Sequence, residues 1–521
     1  MLYLKSKGMQ MELFRITPNI DVLDAAKSKL YLRTRRGSVV VKDMQYIISK
    51  EGCISTDTYF NIFSSTKYAQ YTKVTDVELH TTVSGDLCVK LCMCRADEEQ
   101  IVDEYHVHSD VATDVCFKFN ISDLPKNETI CHYLIYESNS QSIVYDFGAY
   151  SADISQNDVF LVIVICTYKR KNLIVNTLAK LSQMKISEND ISIIVVDNGQ
   201  DTWEQYAHVT ILTNRNLGGS GGFTKGMLAA KDMGATHILL MDDDCNFDVS
   251  VITKTLNVLK SLSPTYAEAF ILGGLLDLKN PQKQYEAGAR FDGLIKRCKA
   301  DLDLSNLKSL IANEQLESVD YGGWWYCCIP TTVIQQELPL PLFIRLDDLE
   351  YGLRSMRQFI TMNGIGVWHH TFEKEDNSPF GLYYHERNLA IIRSLYHLSW
   401  KDFCVHYWIK TVQLIRSRDY RRLHYFQRAY HDYLLGTKLF LVNDIEELNN
   451  DLMFSAQKDI LHCSLSNNLS LFLYSLFLFI KTLLLRQTIG KDFMKNLKLI
   501  SDETYWLRIL EKGGVKCHQK F

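Results

Sequence analysis

The chain has 521 residues and a formal net charge of −4, with 46% hydrophobic and 23% charged residues. That balance fits a globular protein and excludes a disordered or largely membrane-embedded one; the weak negative charge gives no general affinity for nucleic acid, so no such partner is expected. At about 100–200 residues per domain, two or three domains are expected.

The opening stretch MLYLKSKGMQMELFRI has no apolar segment followed by a small-residue cleavage site, so no secretory leader is expected. From there to residue 150 the pattern alternates with period two, as in SVVVKD, DVCFKFNI and HYLIYES, with turn residues between. This predicts an antiparallel β-sandwich over 1–150, a candidate acceptor-binding unit. The fourteen cysteines form no CxxC pair. Cys92 and Cys94 sit at strand spacing and Cys327 and Cys328 are adjacent, so reduced buried thiols and a cytoplasmic setting are expected.

At FLVIVICTYKR the pattern becomes a continuous apolar run, followed by the helical NLIVNTLAKL and a second run, ISIIVVDNG. A further helix, GGFTKGMLAAKDMG, leads into THILLMDDDC. Such alternation predicts an α/β domain over 151–395 with a parallel sheet, whose ligands bind at the strands' carboxyl ends. There stand Asp242, Asp243 and Asp244, whose mutual repulsion a divalent cation relieves best. Since side chains alternate along an extended backbone, Asp242 and Asp244 can share a side while Asp243 points away. A solvated acidic turn is the plainer alternative.

Between the second and third runs, TNRNLGGSGGFTKG places Gly218, Gly219, Gly221 and Gly222 just before a helix, where backbone can approach an anionic ligand closely. No glycine-rich turn follows the first strand, which argues against a dinucleotide fingerprint. LPLFIRLDDLEYGLR adds Asp347 and Asp348, and YGGWWYCCIP adds Trp324 and Trp325. Aromatic faces stack on sugar rings and a carboxylate can take a proton from a sugar hydroxyl; a helix-capping aspartate and a core tryptophan pair are the alternatives. GIGVWHH ends another apolar run with His369 and His370, either of which could complete a metal shell or serve a structural role.

Residues 396–521 are rich in helix formers and predict a helical region. Within it, Leu469 to Leu485 is almost wholly apolar but is interrupted by Lys481 and falls short of the ~20 residues that span a bilayer. Burial is expected, in the core or in a homo-oligomer, with peripheral membrane association as a secondary effect.

Taken in order, ICTYKR, VVDNG, NLGGSGGFTKG, LLMDDD, GGWWYC, FIRLDDLEYGLR and VWHH resemble the bacterial galactofuranosyltransferases of the GT-A fold, above all those that polymerise mycobacterial cell-wall galactan. The similarity extends through STDTYFNIF (Ser55 to Phe63) and covers roughly residues 30 to 395. It implies a Rossmann-like GT-A domain flanked by the β-sandwich and the helical region. It also implies an inverting transfer of galactofuranose from UDP-galactofuranose to a glycan, with manganese or magnesium. By motif position, Asp242, Asp244 and His369 would hold the metal and Asp348 would be the general base. Thr167, Arg170, Asp197, Asn216, Asp243 and the four glycines fall on the donor side, with Arg170 at the uridine. Trp324, Trp325, Asp347 and His385 fall on the acceptor side. The setting implied is synthesis of O-antigen, capsule or cell-wall galactan on a lipid-linked acceptor, at the inner face of the cell membrane. Another nucleotide sugar, rhamnosyl or hexopyranosyl, would use the same glycines and aspartates. A glycan-binding protein without activity would have lost one of the acidic clusters, and both are intact.

Overall fold

The structure, a computed structural model, describes residues 10–19, 25–371, 378–459 and 468–511, apart from residues 97, 126, 183, 185–189, 202, 204, 205, 207 and 443. The N-terminal part is a nine-stranded antiparallel sheet. Its axis is a long hairpin, Asp76–Arg95 with Glu98–Asn120. The first of these strands is shared: Ser142–Ala152 pairs with one half of it and Ile130–Ser138 with the other. The sandwich read from the sequence is thus one continuous, barrel-like sheet, because a strand of 20 residues serves both halves.

The second sheet has eight strands. Val209–Thr213, Ile191–Asp197, Leu161–Thr167 and His237–Asp242 lie parallel in that order. Tyr326–Pro330 then runs antiparallel, followed by Phe270–Asp277, which Phe359–His369 joins in parallel. These are the continuous Val, Ile and Leu runs, and continuity is needed because both faces of the sheet are covered. Ile163 and Ile165 belong to a core shared with the N-terminal sheet. Val162 and Val164 belong to a core shared with the C-terminal helices, which include Tyr420–Tyr433 and Asn468–Ser501.

Register then decides where the polar ends fall. Thr167 is level with Asp197, Cys166 with Asp242, and Asp277 with His369. Tyr326, where the antiparallel strand begins, is level with Met241. Thr167, Asp197, Asp242, Trp325 and His369 therefore meet at one edge.

Only 17% of the most apolar window of Asn468–Ser501 is buried within this chain, which leaves burial in a homo-oligomer untested. At 34 residues the helix is long and apolar enough to cross a membrane, against the expectation from Leu469 to Leu485 alone. The segment is apolar almost all round, so its sequence carries no mark of which face meets the protein; only the line through Ser475, Leu478 and Thr482 does. The cysteines recorded among the described residues are free thiols, most of them buried.

Candidate active site

The three aspartates separate as soon as the strand ends. Asp243 turns inward and accepts hydrogen bonds from the Thr167 hydroxyl at 2.7 Å and Arg170 Nη1 at 3.0 Å. Asp242, Asp244 and His369 converge instead, with one ligand atom of each within 4.8 Å of the others. His369 is brought there by pairing between the segment after the aspartates and the last strand: Asn246 and Trp368 exchange two backbone hydrogen bonds of 2.8 and 2.7 Å. Asp244 lies between Arg170 Nη1 at 3.0 Å and His369 Nε2 at 2.9 Å.

The imidazole's other nitrogen fixes the ring's orientation. His369 Nδ1 is 2.6 Å from the carbonyl oxygen of His370, and because a carbonyl only accepts, Nδ1 carries the hydrogen. Nε2 then faces Asp244 Oδ1 at 2.9 Å, donating to it when the ring is protonated. The contact is stable only with a proton or a cation between them. The electrostatics agree. Burial pushes the Asp242 carboxyl up to about 7, the charges of Asp244, Asp243 and Asp347 push the same way, and His369 pulls it down. For Asp244, burial is outweighed by His369 and Arg170, which hold it below the usual range. For His369, burial is outweighed by Asp244 and Asp242, which raise it. Two carboxylates and an imidazole nitrogen converging on one point are a donor set that fits manganese or magnesium.

Asp347 and Asp348 open the helix Asp347–Ser355 on the other side of the group. The backbone before them is left-handed at Phe343 (φ 72°), Arg345 (69°) and Leu346 (60°), a costly conformation for residues with side chains. Asn388 holds it in place by donating from Nδ2 to the carbonyl oxygens of Leu342 at 3.2 Å, Ile344 at 2.9 Å and Arg345 at 2.8 Å. Arg387 Nη2 donates to the Leu342 carbonyl as well, at 2.9 Å. Sequence reasoning passed over both residues; their mark was a polar pair set in the apolar helix Pro379–Leu395.

This turn also reaches the glycine-rich helix Gly218–Asp232: the Phe343 carbonyl accepts from Ser220 N at 3.1 Å, and Asp347 Oδ2 accepts from Ser220 Oγ at 3.1 Å. Asp347 thus contacts the segment assigned to the donor, although it was assigned to the acceptor. Burial raises Asp347 to about 6, and burial together with the charge of Asp347 raises Asp348 well above the ordinary carboxylate range.

Three of the four glycines are explained by packing. A Cβ on Gly218, whose φ is +69°, would lie 2.2 Å from the Phe343 carbonyl oxygen. On Gly221 it would meet Leu217 at 2.3 Å and on Gly222 the Cys166 sulfur at 2.2 Å. Only Gly219 has room, its nearest neighbour being Asp347 Oδ2 at 3.3 Å. Asn216 caps the turn by accepting from Gly218 N at 3.2 Å.

Asp197 is fully buried, and its carboxylate accepts from Gly199 N, Asp201 N and Trp203 Nε1, each at 2.7 Å, so it builds its own loop. Its neighbour Asn198, which sequence reasoning also missed although it lies in VVDNG, ties that loop to the glycine segment by donating to Gly218 O at 3.0 Å. Trp324 and Trp325 are buried, the first edge-on to Phe223 and the second donating from Nε1 to Gly273 O at 3.1 Å. His385, half-buried on Pro379–Leu395, is not drawn into the Asp242–Asp244–His369 group.

Residues 158–369 match the family described as glycosyltransferase like family 2. With the mixed sheet and the acidic edge described above, residues 158–369 form a GT-A-like domain similar to the family 2-like glycosyltransferases. It is 26% identical to galactofuranosyltransferase GlfT2 of Mycolicibacterium smegmatis over 75% of this chain and 65% of that one. To the protein of the same name from Mycobacterium tuberculosis it is 26% identical over 67% of this chain and 59% of that one. The chain therefore spans less than two thirds of the length of either relative. Among solved structures, a mannosyltransferase from Pyrobaculum calidifontis in complex with GDP-Man and Mn2+ superposes with a TM-score of 0.31, at 10% identity over 69% of this chain and 90% of that one.

Proposed function

We propose that this protein is an inverting, metal-dependent galactofuranosyltransferase. It transfers galactofuranose from UDP-galactofuranose to a lipid-linked glycan in bacterial polysaccharide synthesis at the cytoplasmic face of the membrane. The observation that carries the reading is the Asp242–Asp244–His369 group, in which one ligand atom of each residue lies within 4.8 Å of the others.

Asp242, Asp244 and His369 would hold manganese or magnesium, which when bound supplies positive charge to the leaving diphosphate. The chain's own residues do the rest. Arg170 has more than half its side chain exposed and reaches the nucleotide beyond Asp243 and Asp244. Asp348 takes the proton from the acceptor hydroxyl as that oxygen bonds to the anomeric carbon. The bond from that carbon to the diphosphate oxygen breaks with its electron pair leaving on UDP, so a single displacement inverts the centre. A carboxylate raised by burial suits the step, because it binds a proton more tightly than an exposed one would. Asp347 and Asn388 keep Asp348 aimed.

Calorimetric titration of UDP tests the reading. Binding should require manganese in the wild type and be lost in Asp242→Asn and Asp244→Asn. Wild-type, metal-dependent affinity in both variants would remove the ligand assignment.

A further inference from the structure

The hairpin of Asp76–Arg95 and Glu98–Asn120 carries a group of side chains that the transfer reaction leaves unused. Cys88 stands level with His106 across the ladder, and Glu104 comes two residues before His106, so strand alternation puts all three on one face. Cys88 Sγ is 3.9 Å from His106 Nε2 and 4.0 Å from Glu104 Oε2, and the imidazole nitrogen is 3.5 Å from Glu104 Oε1. One ligand atom of each lies within 4.8 Å of the others.

We propose that Cys88, Glu104 and His106 form a zinc site, separate from the Asp242–Asp244–His369 group. Zinc bonds of about 2.0–2.3 Å set ligand atoms about 3.3–3.6 Å apart in a tetrahedron, so the three need close by only a few tenths of an ångström. A thiolate beside an imidazole and a carboxylate favours zinc over manganese or magnesium, because sulfur is a soft ligand. The thiol's proton passes to solvent as the sulfur–zinc bond forms, and water takes the fourth position.

The surroundings single out this cysteine. Cys53, Cys92, Cys94 and Cys131 pack into one apolar cluster on the same sheet, whereas Cys88, also buried, faces the imidazole and the carboxylate. Lys90, level with Glu104, turns instead to Glu137 at 2.6 Å, which leaves the Glu104 carboxylate to Cys88 and His106. A second triad on the hairpin, Glu78, His80 and Cys116, is less suited: Lys118 and Gln10 already bond the Glu78 carboxylate, and the lysine's charge would meet the ion.

The site also has a place in the fold. Among the described residues Glu98–Asn120 pairs with Asp76–Arg95 alone, so it is an edge strand, and most of its side chains are exposed. Zinc bound across Cys88 and His106 ties that edge to the strand that both halves of the sheet share. Metal held this way adds directly to folding free energy. The proposal requires no activity of the transferase domain.

Cobalt(II) titration of the intact chain tests it. A thiolate bound to cobalt gives an intense near-ultraviolet charge-transfer band, which the oxygen and nitrogen ligands at Asp242–Asp244–His369 do not. The wild type should develop this band, saturating at one thiolate-bound cobalt per chain, and zinc should abolish it. Cys88→Ser should remove the band. His106→Ala, which takes away an exposed side chain and spares the fold, should weaken cobalt binding by more than about 100-fold, since loss of an outer-shell partner alone costs about 10- to 100-fold. Cys116→Ser should behave as the wild type, and circular dichroism should be the same for all four proteins. No band in the wild type, a band that survives in Cys88→Ser, or wild-type affinity in His106→Ala would overturn the proposal. A band lost in Cys116→Ser but kept in Cys88→Ser would overturn it too, by assigning the metal to the second triad.

Discussion

Asp348 is half-buried and Glu286 buried, and the two carboxyl groups give different signatures. Asp348→Asn should retain affinity for the nucleotide sugar and lose roughly 100-fold to 10,000-fold in kcat, the usual size of a general-base effect; an unchanged kcat would pass the role to Asp347. Glu286 acts on stability. Burial raises it to about 7 from an ordinary 4.5, with Arg297 pulling back. The folded protein keeps a proton that the unfolded chain has released, so this group's contribution is complete below 4.5 and is lost as pH climbs through 7, a difference of about 3 kcal/mol at about 1.4 kcal/mol per pH unit. Denaturant unfolding across that window should show Glu286→Gln losing less stability with rising pH than the wild type; parallel curves would contradict the assignment. Asp242 and Asp244 could be read from the sequence because alternation along a strand and charge repulsion are local. The use of Asp347 on Ser220 could not, since that contact joins residues 127 apart in the chain.

The turn before Asp347 is the element on which the aim of the proposed base, Asp348, depends. Three left-handed residues in a row of four are held chiefly by the Asn388 amide, which bonds three of the turn's carbonyls. Asn388→Ala should lower kcat by roughly 100-fold, the scale expected when a reacting group shifts by about 1 Å, while KM for the donor changes little. A proportional change in both would make Asn388 merely structural. The glycine-rich helix supplies the complementary test. Gly222→Ala puts a methyl 2.2 Å from the Cys166 sulfur and should destabilise the fold by about 1–3 kcal/mol in thermal unfolding. At this scale the strands were legible because continuous apolar runs cannot be anything but covered. The glycines were read as a ligand cradle, and the structure shows most of them spent on bringing helix against strand and turn, since sequence alone cannot tell a close approach to a ligand from a close approach to protein.

Across the whole molecule, the N-terminal sheet buttresses the strand that ends in His369. Ser55 to Phe63 lies at that junction: Tyr59 donates from its hydroxyl to the Ile365 carbonyl at 3.1 Å, and the Phe60 ring is 5.7 Å from Trp368. Lys67 is buried beside them, 3.1 Å from buried Glu314 and 2.5 Å from the Thr361 carbonyl. The sequence marked the STDTYFNIF stretch without showing what it held, because its partners lie about 300 residues downstream. Breaking one side of a buried ion pair is costly, so Lys67→Met should destabilise the protein by about 3–5 kcal/mol in denaturant unfolding.

The central claim, a metal-dependent inverting transfer of galactofuranose, is tested most directly by one assay: incubating the protein with UDP-galactofuranose and a short galactoside acceptor, with manganese or with a chelator, and reading the new linkage by NMR. The account predicts transfer only with metal, and a galactofuranoside of anomeric configuration opposite to the donor's. Transfer undiminished by the chelator, a product with the donor's configuration, or no transfer from this donor alongside transfer from another nucleotide sugar would contradict it.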